Sequence, residues 1–189
     1  MSSQKAISQA IEAAGVFQSG HFIFANGGHA QVKLEMDNLW DHPQQLSTIL
    51  QALAEAQGLP TCDVILGVPT GGQRLAQELV QRGLITAKLA RLERVPGGAK
   101  QDFRFCSNQD RDLALSATSI RVYEDVVTTL SSIAGVVRLL QPQQQTISSL
   151  AIWRRGKVKS QFQAGVTDHY LIERELPQYF AEACPICNA

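Results

Sequence analysis

The sequence predicts an α/β fold built on a parallel sheet. Val64, Ile65 and Leu66 form an apolar run without alternation, the pattern of a strand covered on both faces. Residues 119–124 (SIRVYE), 131–141 (SSIAGVVRLLQ) and 146–153 (TISSLAIW) then repeat strand, helix and strand. Strands alternating with helices close through right-handed crossovers into a parallel sheet.

Taken in order, Ser2 or Ser3 can cap a first helix in which Ile7, Ile11 and Ala14 recur at helical spacing, with Gly15 where it stops. The segment HFIFANGGHAQVKLEM reads as two extended runs around the turn Asn26-Gly27-Gly28, a hairpin signal. Leu46, Ile49, Leu50 and Leu53 mark an amphipathic helix over residues 42–57, ended by Gly58-Leu59-Pro60. The strand CDVILG, the helix GQRLAQELVQRG and the strand LITAKLARL follow. Residues 93–116 are too long and polar for an ordinary connection, and such loops are lids, binding loops or disordered segments; a mobile flap is expected there. The tail over 177–189 is expected to be peripheral.

At 189 residues the chain suits a single domain, 1–189, with residues 1–40 as an N-terminal helix and hairpin. Its 17 Lys plus Arg balance 17 Asp plus Glu, which argues against a dedicated nucleic-acid or membrane-surface binder. The N-terminus lacks the apolar core of a signal peptide, and no stretch approaches the roughly 18 apolar residues of a membrane span. A soluble, cytoplasmic protein is the expectation. Cys62, Cys106, Cys184 and Cys187 are too few for a disulfide scaffold. The pair Cys184 and Cys187 supplies only two of the four ligands a structural zinc needs, and His169 is the nearest further candidate. No metal site belonging to the chain itself is expected.

Ligands of open α/β sheets bind beyond the carboxyl ends of the strands, where the loops GVPTGG and EDVVTTLSS lie. Glu124 and Asp125 are adjacent carboxylates that need partners: sugar hydroxyls, a hydrated magnesium or nearby cations. Thr128, Thr129, Ser131 and Ser132 add hydroxyls at the start of a helix, whose free N–H groups attract phosphate. Solvated acids and ordinary N-capping account for either half alone.

Together, VYEDVVTTLSS resembles the phosphoribosyl-diphosphate motif of type I phosphoribosyltransferases, and Glu-Asp-Val-Val-Thr-Thr resembles the orotate phosphoribosyltransferases in particular. The segments GVFQSGHFIFANGGHAQVKLEM, VILGVPTGGQRLAQELV, LARLERVPGGAKQDFRF, AIWRRG and the terminal CPIC fall in the family's order. The resemblance implies the type I phosphoribosyltransferase fold, with a small N-terminal hood over a parallel sheet and a mobile flap. It also implies transfer of ribose 5-phosphate from phosphoribosyl diphosphate to orotate, with Mg²⁺ carried by the diphosphate substrate, in a homodimer.

Carried over by position, Glu124 and Asp125 would hold the ribose hydroxyls, and Asp125 would face the developing cation. Thr128, Thr129, Leu130, Ser131 and Ser132 would form the 5-phosphate loop, and Thr70, Gly71 and Gly72 would wrap the diphosphate. Lys100 and Arg104 in the flap, with Arg91 and Arg94 at its base, would supply cations to the leaving group. Arg154 would take the carboxylate of the base, with Arg155 adjacent, and Lys33 and Phe22 would line the substrate side.

The chain departs from the family at Leu130, where glycine is usual, at Trp153, where aspartate is usual, and in a flap that is not rich in lysine. A left-handed backbone at Leu130 would cost roughly 1–2 kcal/mol, and its side chain could fill the phosphate space. Two further readings follow from that: a protein that binds nucleotide or phosphoribosyl diphosphate in a regulatory role, or a partner-binding pseudoenzyme.

Overall fold

The computed structural model describes residues 3–24, 27–141, 144–156 and 166–188; the expected turn residue Asn26 and the expected cap Ser2 lie outside them. The first helix, α1 (Ser3–Ala13), ends at Gly15, whose φ is +64°. A hairpin follows, β1 (Phe17–Ile23) antiparallel to β2 (His29–Leu34), with a bulge between Ser19 and Phe22. A 3-10 turn (Met36–Asp41) leads into α2 (Pro43–Ala54), with proline at its start where a missing N–H costs nothing.

The remaining chain is β3 (Val64–Gly67), α3 (Gly71–Gln81), β4 (Lys88–Leu89), β5 (Leu92–Arg94), β6 (Phe103–Phe105), α4 (Asn108–Ser116), β7 (Ser119–Val127), α5 (Ser131–Val137), β8 (Thr146–Arg154) and β9 (Val166–Glu173). Five of these strands make one parallel sheet in the order β4-β3-β7-β8-β9. From β3 the chain winds outward to β4, and from β7 it winds the other way to β8 and β9. The crevice beyond the carboxyl ends of β3 and β7 is therefore the place where the winding reverses and where a ligand fits.

Two apolar clusters cover the sheet. On one side, Ile7 and Ile11 of α1, Ile49, Leu50 and Leu53 of α2 and Leu75 and Leu79 of α3 pack with Tyr123, Ile152 and Trp153. On the other, Ile133 and Val136 of α5 and Ala114 of α4 pack with Leu66, Val122 and Ile147. Each of the Leu, Ile and Val side chains, fully buried, contributes about 1.5–3 kcal/mol. The alternation within β7, Val122 to one cluster and Tyr123 to the other, is why its sequence reads as continuously apolar. Among the described residues no helix is long and apolar enough to cross a membrane.

Several expectations need correction. The strand predicted over residues 84–92 is only β4, because the chain leaves the sheet after Ala90: Asp110 Oδ1 accepts from the Arg91 N–H at 2.9 Å, and Arg91 C=O accepts from the Cys106 N–H at 3.0 Å. The stretch 93–116, expected as a single flap, holds the β5–β6 hairpin and α4, which starts at a Ser107 cap whose hydroxyl accepts from the Asp110 N–H. Strand β9 had no apolar run to reveal it, since Thr167, Asp168 and His169 sit in an edge strand with one neighbour. The tail, mostly exposed, is pinned to the hairpin at two points. Tyr179 exchanges both backbone hydrogen bonds with His29, each 2.8 Å, and Cys184 is buried against the hairpin.

Candidate functional site

The loop from β3 to α3 and the loop from β7 to α5 face each other across the crevice. Gly71 and Gly72 are required here for close approach. A Cβ on Gly72 would overlap the Tyr123 carbonyl, and one on Gly71 would overlap the Asp125 carboxylate. The absence of side chains brings the start of α3 against β7. The peptide between Pro69 and Thr70 is cis.

A cavity of about 350 Å³ opens between the loops, lined by Thr70, Gly71, Arg94, Lys100, Gln101, Glu124, Asp125 and residues 128–132. Hydroxyls cluster on one wall, where Thr129 Oγ1 and Ser131 Oγ lie 2.9 Å apart. Arg94 spans the rim. Its guanidinium donates to the Pro69 and Lys100 carbonyls and lies 5.4 Å above the Phe103 ring. This ties the β5–β6 hairpin to the β3 loop and keeps Lys100 at the mouth.

Leu130 does adopt the left-handed conformation, with φ 62° and ψ 0°. Its side chain is 4% exposed and packs in the cluster with Phe103, Val127 and Ile133. It therefore forms a floor beneath the loop, and the cavity above it stays open. Trp153 is likewise a core residue, edge-on to Phe17 with ring centroids 5.5 Å apart.

Glu124 is 8% exposed. Burial first, and then the neighbouring Asp125 carboxylate, push its pKa well above the usual carboxylate range, with Arg94 opposing. A carboxyl whose pKa is higher folded than unfolded contributes stability at low pH and gives it up as pH rises through the folded value. Wild type is thus expected to lose more Tm than Glu124→Gln as pH rises from roughly 5 to 8. Superimposable Tm–pH curves for the two proteins would contradict this.

A second cavity, about 240 Å³, lies under the hairpin and is lined by Phe24, Lys33, Asp125, Val126 and Arg155 among others. Asp125 and Val126 line both cavities. Arg155 lies 4.9 Å over the Phe24 ring, and its Nη2 is buried without a hydrogen-bond partner among the described residues. Lys33 Nζ is 2.5 Å from Glu35.

Of the residues singled out from sequence, Thr70, Gly71, Arg94, Lys100, Glu124, Asp125 and residues 128–132 come together on the first cavity, with Gly72 just behind, and Lys33 on the second. Four are not brought in. Arg91 pairs with Asp110, its Nε 3.5 Å from Oδ1. Arg104 pairs with Glu93 at 2.7 Å on an outer groove. Arg154 turns toward β9, 3.9 Å from Asp168, 3.6 Å from Glu173 and 4.9 Å over Tyr170. Phe22 lines neither cavity. Sequence reasoning missed Gln101, whose amide reaches Ser131 at 3.5 Å, and Phe24. From sequence, Arg155 stands out only as the neighbour of Arg154.

No protein-family profile matches the chain. An orotate phosphoribosyltransferase of Thermus thermophilus is 30% identical over 180 residues, covering 92% of this chain and 90% of that protein. The chain belongs to the orotate phosphoribosyltransferase family. Another relative in this family, from Thermotoga maritima, is 27% identical over 183 residues, covering 96% of this chain and 92% of its own length. The fold is shared with the crystal structure of the family member from Aeropyrum pernix, at a TM-score of 0.71 and 23% identity over 88% of this chain and 93% of that one. An adenine phosphoribosyltransferase from Rhodothermus marinus gives a TM-score of 0.66 at 14% identity, over 88% of this chain and 99% of that one.

Proposed function

We propose that this chain is an orotate phosphoribosyltransferase, joining orotate to the ribose 5-phosphate of phosphoribosyl diphosphate and releasing diphosphate. The observation that carries this reading is the meeting of the two cavities at Asp125 and Val126: one is lined with hydroxyls and backbone for phosphates, the other with an aromatic ring and an arginine for a planar anionic base. In the reaction the bond from the sugar to the diphosphate oxygen breaks as N1 of orotate bonds to the same carbon, its proton passing to solvent. Positioning and stabilisation of the departing charge supply most of the acceleration.

Residues 128–132 would hold the 5-phosphate. Thr70 and Gly71 would hold the diphosphate, with Arg94 and Lys100 facing its charge. Glu124 and Asp125 would take the ribose hydroxyls. These carboxylates are oxygen donors of the kind magnesium accepts, so the cavity suits a diphosphate that carries Mg²⁺, whose role when bound is to neutralise the leaving group. Arg155, rather than Arg154, would receive the orotate carboxylate through its paired N–H groups. The buried position of Leu130 favours turnover over the binding-only and partner-binding readings. The homodimer and the cytoplasmic setting belong to the same proposal, and sedimentation tests the former.

Mixed with Mg²⁺ and phosphoribosyl diphosphate, the protein is expected to consume orotate and form orotidine 5′-phosphate. No turnover above blank at high enzyme concentration would refute the assignment. Arg155→Ala is expected to raise the KM for orotate about 10- to 100-fold, the loss of a charge-assisted pair, with the KM for phosphoribosyl diphosphate unchanged. Arg154→Ala should change the orotate KM far less. The opposite ranking would return the base to Arg154.

A further inference from the structure

At the outer end of the hairpin, outside the lining of the two cavities, four side chains converge from the hairpin and the tail. His21 lies on β1 and His29 on β2, while Cys184 and Cys187 come from the docked tail. His21 Nε2 is 3.0 Å from His29 Nδ1, 3.6 Å from Cys184 Sγ and 3.5 Å from Cys187 Sγ, and Cys187 Sγ is 3.4 Å from His29 Nδ1. All four ligand atoms lie within 4.8 Å of one another. His169, the candidate suggested by sequence, is not among them.

Hydrogen bonding does not account for this convergence. A ring nitrogen has either one hydrogen or one lone pair, so His21 Nε2 can satisfy one of its three neighbours. A tetrahedral ion satisfies all of them at once. With bonds of about 2.3 Å to sulfur and about 2.0–2.1 Å to nitrogen, a tetrahedral zinc separates S from N by about 3.5 Å and N from N by about 3.3 Å. Three of the four S···N separations, 3.4, 3.5 and 3.6 Å, bracket the first value, and the N···N separation of 3.0 Å is close to the second.

We infer that Cys184, Cys187, His21 and His29 form a structural zinc site that fastens the tail to the hairpin. Two thiolates and two neutral imidazoles around a divalent ion leave no net charge, which suits a site where Cys184 is 1% and His29 8% exposed. Zinc is the metal this donor set fits, since tetrahedral sulfur and nitrogen ligation selects it and cytosolic thiols stay reduced. On binding, each thiol gives its proton to solvent, so affinity falls as pH is lowered. All four ligand positions are filled by the protein, the closed arrangement of a structural rather than a catalytic site. The site reinforces the paired hydrogen bonds between His29 and Tyr179 and so steadies β2, the strand that carries Lys33 to the second cavity.

Elemental analysis of the full chain, purified under reducing conditions without chelator and then supplied with zinc and desalted, is expected to give one zinc per chain. Cobalt in its place should show the intense visible bands and sulfur-to-metal charge transfer of a tetrahedral thiolate site. A strong chelator should lower the Tm by several degrees, with full recovery on adding zinc. Cys184→Ser and His21→Ala should lose the metal, and because either variant could misfold, circular dichroism accompanies each measurement. The metal content of the wild type needs no variant. A folded, reduced wild type that keeps no stoichiometric zinc overturns the proposal. So does a six-coordinate cobalt spectrum, or zinc retained at full occupancy by a folded Cys184→Ser, Cys187→Ser double variant. None of these readouts depends on the transferase reaction, so loss of the orotate activity and loss of the zinc site would be distinguished.

Discussion

Asp125→Asn is expected to lower kcat/KM for phosphoribosyl transfer by about a hundredfold or more, with the fold intact. Asp125 lines both cavities, so its carboxylate stands where the phosphates of one ligand and the base of the other would meet. A loose, cationic sugar at that point is stabilised by a fixed negative charge beside it. Asparagine keeps the shape and can still accept from the Val126 N–H, as Asp125 Oδ1 does at 2.6 Å, so the change is in charge rather than architecture. An unchanged Tm is therefore the companion result. Gly71→Ala is a useful contrast: its Cβ would displace the same carboxylate without altering its charge. A rate for Asp125→Asn above about a tenth of wild type would remove this carboxylate from the chemistry.

Leu130→Gly is expected to destabilise the protein without raising its activity. Glycine relieves the left-handed backbone, a gain of roughly 1–2 kcal/mol. Against that stands loss of a buried leucine, which for truncation to alanine costs about 2–5 kcal/mol. Leu130 is 4% exposed and packs with Phe103 and Ile133, so over most of these ranges burial outweighs strain, leaving a net loss of about 0–4 kcal/mol. For a chain of this size each kcal/mol lowers Tm by about 2–4 °C. Thermal melts and initial rates decide the matter together. A glycine variant that melts no lower and turns over faster would show that leucine obstructs the phosphate loop.

The central motif was legible because its chemistry is local. Glu124, Asp125 and the hydroxyls of 128–132 follow one another off the end of one strand, so chain order alone puts them on one loop. Thr70 and Gly71 were legible for the same reason. The substrate side was harder to read. Phe22 is held within the hairpin opposite Ala30, whereas Phe24, just past the end of β1, is the ring that meets Arg155. At the end of β8, Arg154 is drawn to Asp168 and Glu173 on a strand that left no apolar signal in the sequence, and Arg155 is the residue left facing the cavity. Arg104 is consumed by Glu93 across the β5–β6 pairing.

The amino-acid sequence by itself determined the α/β class, the helical and strand faces and the acidic, hydroxyl-rich loop after β7, since periodicity and short-range order encode these. Tertiary structure alone decided the rest. It turned Leu130 into the core, chose between adjacent arginines, and carried the tail's two thiols to two histidines more than 150 positions away. The physical reason is common to all three: each depends on which side chains a packed sheet leaves room for, and that is a property of the assembled neighbours rather than of the segment.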